Sequence, residues 1–301
     1  MKSTVRVGTL QYGLRPVADF AAFKDQVQGL VATASDDRCD MLVFPEYFTL
    51  QLLSCCDPSQ PIEQQIRQVA AWRDDFTALF AELAASAKMH ILAGTMPTLG
   101  SEGIGGRAAR LHNDACFFGP TGRHVVQGKL HMTRFEKEEW FAEPRDKLVV
   151  IETVFGRCAV MICYDIEFPE LARAAARSGA HLLLVPSCTE DRTGFLRVRY
   201  CAQARAIENQ LYVVQSSVVG GLPGAPAVSL HYGQASVLTP SDFGFARDGI
   251  LAEGVPNQES LVVGDLDFAA LEDLRKNGTV LPLQDSAASD AFARSIVFEE
   301  I

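Results

Sequence analysis

The sequence predicts a layered α/β fold in one domain. Short apolar runs such as Met41-Leu42-Val43-Phe44 and Cys158 to Ile162 recur along the chain and read as buried strands. Between them lie stretches with apolar residues at helical spacing, the first carrying Val17, Phe20, Phe23, Val27, Leu30, Val31 and Ala34. No linker, composition shift or internal repeat interrupts the 301 residues, so 1–301 reads as a single domain.

In chain order, Thr4 to Leu10 alternates and is expected to be a strand, followed by the helix 17–34 and a strand over 40–44 that Pro45 ends. Ile62 to Lys88 is a long helical stretch of one helix or two, with Trp72, Phe76, Leu79, Phe80 and Leu83 on one face. His90 to Gly94 is the next strand. Gly100 to Gly106 is a glycine-rich loop without a phosphate-binding pattern. Arg110 to Phe118 and His124 to Gln127, joined by Gly119-Pro120-Thr121-Gly122, read as a hairpin. Val149 to Phe155 and Arg157 to Ile162 pair around Gly156. A helix is expected over Leu171 to Ser178, with Pro169 suited to its first turn. His181 to Val185, a basic-faced helix over Phe195 to Asn209, Leu211 to Val219, Gly233 to Leu238 and Ser260 to Leu266 complete the alternation. A short helix follows Asp267, and the tail 277–301 has no clear periodicity.

Composition narrows the function. A net charge of −10 and a pI near 5.1 argue against nucleic acid or an anionic membrane as partner. Met1 to Thr9 lacks the apolar core of an export signal, and no apolar run approaches the roughly 18 residues of a membrane span. The eight cysteines form no CxxC pair and no zinc spacing, so no metal is expected. Without an export signal they are expected as reduced thiols in a cytoplasm.

Three residues then stand out because each ends a predicted strand, where ligands sit in open α/β sheets. Glu46 follows Pro45, Lys129 follows the hairpin, and Cys163 ends the run 158–162. Each has a plainer reading on its own: a solvated glutamate, a surface lysine, a core cysteine. Together they make a chemical set. The carboxylate can take a thiol proton and return it to a leaving amine, the thiolate can attack, and the ammonium can hold an oxyanion. A strand-to-helix corner also places Cys163 beside a helix N-terminus, where partial positive charge favours thiolate. His131 is a possible base for Cys163 but reads better as structural.

Around these positions the sequence resembles the nitrilase superfamily of carbon–nitrogen hydrolases. The matching stretches are FPEYF (44–48), GKLHMTRFE (128–136) and CYDIEFPELAR (163–173), with secondary matches at 204–214, 232–240 and 259–282. The resemblance implies a four-layer α-β-β-α sandwich whose Glu–Lys–Cys triad hydrolyses non-peptide C–N bonds without a cofactor. It assigns Glu46 as general base, Lys129 as oxyanion-stabilising lysine and Cys163 as nucleophile, with the backbone N–H of Tyr164 completing the oxyanion hole. A second glutamate is implied after the lysine. Glu136, Glu138 and Glu139 compete, and Glu138 is chosen for its distance to Trp140, Phe141 and Pro144. Arg205, Glu208 and Asn209 are expected to be structural. The implied activity is an amidase acting on a small amide. Alternatives are a carbamoylase or a nitrilase, an acyltransferase, and a catalytically idle scaffold. The implied assembly is a homodimer, or a higher homo-oligomer, built through the layer of the helix after Cys163. The run Arg197 to Tyr200 resembles a branch sometimes fused to an acetyltransferase domain.

Overall fold

The computed structural model describes residues 4–100, 109–225 and 228–300. Residues 101–106 of the glycine-rich loop lie outside that set. In chain order the elements begin with β1 (Thr4–Leu14), α1 (Phe20–Asp36), β2 (Met41–Val43), a 3₁₀ turn over Phe48–Cys55, α2 (Ile62–Ala70) and α3 (Arg73–Ala87). The middle of the chain forms β3 (His90–Leu99), β4 (Leu111–Phe118), β5 (His124–Gly128), α4 (Arg134–Glu138), β6 (Val150–Thr153) and β7 (Gly156–Val160). A 3₁₀ turn over Cys163–Glu167 leads into α5 (Pro169–Arg177), β8 (Ala180–Ser187), α6 (Arg192–Glu208) and β9 (Tyr212–Gly220). Then come β10 (Ser236–Leu238), β11 (Ile250–Glu253), β12 (Ser260–Asp267), α7 (Phe268–Asn277) and α8 (Pro282–Phe292).

The strands hydrogen-bond in the order β5-β4-β3-β2-β1-β9-β8-β7-β6, with β12 on β1, β10 on β9 and β11 on β10. β1 joins two leaves. Its residues Thr4 to Gln11 pair with β12 and Val7 to Thr9 with β2, while Gln11 to Leu14 run parallel to Ser217–Gly220 of β9. The leaves β5-β4-β3-β2-β1-β12 and β6-β7-β8-β9-β10-β11 follow. Alternation decides what each face covers. Val5, Val7, Met41, Val43, Leu92 and Phe117 pack in one core with residues of the second leaf such as Ala159, Leu183 and Val213. Their neighbours Leu42, Phe44, Ile91, Ala93 and Phe118 pack instead with Phe23, Val27, Phe76 and Phe80 of α1 and α3. Helices α5 and α6 cover the second leaf through Ala172, Ala175, Val198 and Ala202. This is the predicted α-β-β-α sandwich.

Local chemistry sets several boundaries. Asp19 caps α1 by accepting from the Ala22 N–H at 2.8 Å, so the helix starts after Val17. The 62–88 stretch does divide, at Ala71-Trp72, and Trp72 stacks on Phe20. Pro169 takes the first position of α5 as expected. Two elements had little signal. β11 pairs only with β10 at an edge and buries none of its four residues. In the tail, α8 has Pro282 in its first turn but no apolar stripe. It is held by the Arg177 guanidinium donating to the Ser286 carbonyl at 2.9 Å. Among the described residues no helix is long and apolar enough to cross a membrane, and all eight cysteines are free thiols.

Candidate active site

The fold brings Glu46, Lys129 and Cys163 into one cleft of about 280 Å³, and all three are buried, at 1%, 1% and 5% exposure. Glu46 follows β2, where Pro45 ends the strand. Gly94 of β3 lies directly beneath: a Cβ there would meet the Pro45 carbonyl oxygen at 2.1 Å, so only glycine lets the two segments approach. Lys129 follows β5, its N–H donating to the Asn113 carbonyl at 2.8 Å. Gly128 before it is pressed against Arg145, whose guanidinium pairs with Asp114 at 2.8 Å.

Cys163 sits at the corner after β7 with φ +46°, a left-handed conformation unusual for a residue with a side chain. Strain of this kind costs of order 1–3 kcal/mol and persists only where the surroundings over-determine it. Here they do. Buried Asp165, two residues on, accepts from the backbone N–H groups of His131 at 2.8 Å and Leu130 at 3.2 Å. Arg205 of α6 donates to the carbonyls of Ile166 at 3.1 Å and Glu167 at 3.2 Å. His131 touches Asp165 through Nδ1 and stacks on Phe168, which makes it structural, as expected. Arg205 and its partner Glu208 also hold structure.

The three side chains are tied to one another and to a second carboxylate. Lys129 Nζ donates to Glu46 Oε1 at 2.7 Å and to both oxygens of Glu136, at 2.8 and 2.7 Å. Glu46 also accepts from Asn113 Nδ2 at 2.9 Å and from the Cys188 N–H at 3.0 Å. The Cys163 thiol reaches the Cys188 carbonyl at 3.7 Å, and the Glu46 carboxylate is near enough to act on its protonation. Glu136 further accepts from the Tyr47 hydroxyl at 2.9 Å and from Thr133.

Burial pushes the Glu46 carboxyl up to about 7, against the pull of Lys129 and with the help of Glu136. Burial also works against the Lys129 ammonium, but Glu136 and Glu46 overcome it and hold the group well above the usual lysine range. For Cys163 the outcome corrects the expected thiolate. Burial first, and the Glu46 carboxylate second, push the thiol well above the usual cysteine range, with Lys129 pulling the other way. The 3₁₀ turn 163–167 also separates Cys163 from the start of α5. The sulfur rests protonated and needs a base, and Glu46 lines the same cleft.

Glu138 is not at this site. Its side chain is 57% exposed and pairs with Arg134 at 2.8 Å one turn back on α4. Glu136 stands at the lysine instead. It is the third residue of α4 and closes a capping box with Thr133. That T-x-x-E spacing is legible in the sequence and distinguishes Glu136 from Glu138 and Glu139. Tyr164 lines the cleft beside Cys163. Asn113 carries no sequence signal pointing to the site; Tyr47 and Asp165 lie inside the stretches FPEYF and CYDIEFPELAR, where neither was given a role. Among the described residues no group of His, Cys, Asp and Glu side chains has the arrangement of a metal site.

A sequence model of the carbon-nitrogen hydrolase family matches residues 6–276. A Bacillus subtilis (strain 168) protein described as probable hydrolase YhcX is 43% identical over 93% of this chain. The chain spans 53% of that relative's length. Omega-amidase NIT3 of Saccharomyces cerevisiae is 29% identical over 71% of this chain and 70% of its own. The crystal structure of yeast Nit3, a member of branch 10 of the nitrilase superfamily, superposes with a TM-score of 0.72 at 26% identity, covering 91% of this chain and 94% of that one. An amidase from Nesterenkonia sp. AN1, solved with the acetamide moiety of fluoroacetamide on its active-site cysteine, superposes at 0.70 over 99% of this chain and 98% of its own. At 21% identity that likeness is one of fold.

Proposed function

Since the chain belongs to the carbon-nitrogen hydrolase family, we propose that it is an amidase of small amides, with Glu46 as general base, Lys129 as oxyanion-stabilising lysine and Cys163 as nucleophile. One observation carries the reading. A carboxylate, an ammonium and a thiol from three strand ends, each almost fully buried, meet in one cleft with strongly perturbed protonation.

The chemistry follows from the contacts. Cys163 Sγ attacks the amide carbonyl carbon as Glu46 takes the thiol proton. The carbonyl oxygen becomes an oxyanion between Lys129 Nζ and the backbone N–H of Tyr164. The ammonium has three N–H groups for its three carboxylate contacts. Sharing one N–H between the two Glu136 oxygens releases another for the oxyanion. The intermediate collapses, and ammonia leaves with the proton from Glu46. Glu46 then takes a proton from water, whose oxygen attacks the thioester. The acid departs and the sulfur recovers its proton. Losing an oxyanion donor of this kind costs about 10²–10³ in rate.

We read residues 1–301 as one carbon–nitrogen hydrolase domain. The eight free thiols support a reducing, cytoplasmic setting. The exposed Tyr200 and Ile207 on α6 support a homodimer through that helical layer. The test is ammonia release from a panel of small amides, carbamoyl amino acids and nitriles, with intact mass read on the protein. An acyl adduct and ammonia release, both lost in a folded Cys163→Ala, are expected. Appreciable turnover in Cys163→Ala removes the proposal.

A further inference from the structure

The cleft walls contain two buried polar groups that the triad does not use. His231 is 3% exposed and lines the cleft. Its Nδ1 lies 3.3 Å from the Gly220 carbonyl oxygen, and a carbonyl can only accept, so Nδ1 carries the hydrogen. Nε2 is then a bare acceptor, and it finds no partner among the described residues. Burial pushes this ring down to about 4, so it stays neutral. Trp140 is likewise 3% exposed and lines the cleft, and its Nε1–H, a donor only, finds no partner among the described residues either. A buried polar group left unmatched is costly, and such groups recur where a ligand supplies the missing bond.

Both groups are rigidly mounted. The His231 N–H donates to the Gly220 carbonyl at 2.8 Å, and the next residue, Tyr232, donates to the Thr189 carbonyl at 2.9 Å. That loop begins at Cys188, whose N–H holds Glu46. Trp140 packs edge-on against Tyr47 and Phe135. Among the described residues the charged lining is mostly acidic, and its one arginine faces a glutamate. Arg197 lies 3.6 Å from Glu167, and Glu190 and Asp191 stand beside them.

Resting on the amidase reading, we propose that His231 Nε2 and Trp140 Nε1–H bind an uncharged group at the far end of the substrate that both donates and accepts a hydrogen bond. A hydroxyl or a second carboxamide fits, and a methyl or a carboxylate does not. In the proposed mechanism the scissile nitrogen faces the Glu46 carboxylate. The two orphan groups therefore serve the remainder of the molecule. A site built to bond a substrate hydroxyl rejects the analogue lacking it, because its own buried groups are then left unpaired.

The experiment compares kcat/KM for amides that differ only in a terminal methyl or hydroxyl, at two lengths: butyramide with 3-hydroxypropanamide, and pentanamide with 4-hydroxybutanamide. The wild-type protein is expected to favour the hydroxyl by about tenfold or more at one of the lengths. The ratio should fall toward one in His231→Phe and in Trp140→Phe, and recover in part in His231→Gln, which keeps an acceptor. A ratio near one in the wild type, or unchanged in a folded His231→Phe or Trp140→Phe, overturns the proposal. Calorimetric titration of the same pairs onto Cys163→Ala separates it from the amidase reading. Hydroxyl-selective binding that His231→Phe abolishes, without turnover by the parent, retains the recognition site and removes the amidase. Turnover without selectivity does the reverse.

Discussion

Glu46 and Glu136 are two buried carboxylates on the same lysine, and their protonation moves in opposite directions. Glu46 is raised to about 7, with burial the largest cause. Glu136 is buried as deeply, yet Lys129 and Thr133 overcome that cost and hold it below the usual glutamate range. The difference lies in the partners. Glu136 receives the lysine on both oxygens, the Thr133 N–H and hydroxyl, and the Tyr47 hydroxyl. Glu46 receives the lysine on one oxygen, with Asn113 and the Cys188 N–H as neutral donors. Two carboxylates also face one ammonium, and the surplus negative charge falls on the less satisfied of the two. A pair of titratable groups pushed apart in this way divides the roles. Glu136 anchors the lysine, and Glu46 is poised to exchange a proton near neutral pH.

The largest effect expected from breaking this contrast is on the Glu46 side. Glu46→Gln keeps the shape and removes the proposed base, and turnover should fall by about 10²–10⁴. Stability should move the other way. Glu46 has a raised folded-state pKa, so its ionisation opposes folding as pH rises from the unfolded value through about 7. Glu46→Gln removes that term and the surplus buried charge, and its melting temperature at pH 8 should match or exceed that of the parent. A large loss of melting temperature would mean that Glu46 is structural cement like Glu136.

Glu136→Gln should do the opposite and do less to catalysis. It takes charged bonds from Lys129 and weakens the cap of α4. The expected loss is about 1.5–3 kcal/mol of stability, the range for hydrogen bonds to charged groups, read by denaturant unfolding. It also moves the base. In the parent, the acid limb of kcat/KM should have its midpoint near 7, with activity rising as Glu46 deprotonates. Glu136 is one of the charges holding Glu46 up. Without it the Glu46 pKa falls, and the acid limb should shift to lower pH. An acid limb that stays in place in a folded Glu136→Gln would mean the two carboxylates are not electrically coupled.

What the sequence could disclose about this site follows from range. Glu46, Lys129 and Cys163 each end a short apolar run, which is a local signal, and the resemblance of the stretches around them, not the spacing alone, made them candidates. The sandwich was legible for the same reason, and its less visible parts, β11 and α8, bury almost nothing. The partners of the triad come from far away in the chain. Asn113 lies 67 residues from Glu46 and the Cys188 N–H 142 residues from it. Nothing in the neighbourhood of these residues marks them, because their function is set by the topology that juxtaposes them. The thiol is a different kind of gap. A corner before a helix reads as a thiolate site, but the sign of its shift depends on burial and on Glu46, both tertiary quantities.

Glu136 against Glu138 is the case in which the local signal existed and pointed the other way from the sequence reading. Both lie on the five-residue α4, two positions apart, and residues at that spacing do not share a helix face. If Glu136 faces Lys129, Glu138 must face elsewhere, and it does, pairing with Arg134 in solvent. An exposed pair of this kind contributes about 0.3–0.5 kcal/mol. Glu138→Gln should therefore leave kcat/KM and the acid limb unchanged and move stability by no more than about 0.5 kcal/mol. Kinetics of Glu136→Gln and Glu138→Gln, measured side by side across pH, make the comparison sharp. A displaced acid limb in Glu138→Gln, with none in Glu136→Gln, would return the role of lysine partner to Glu138.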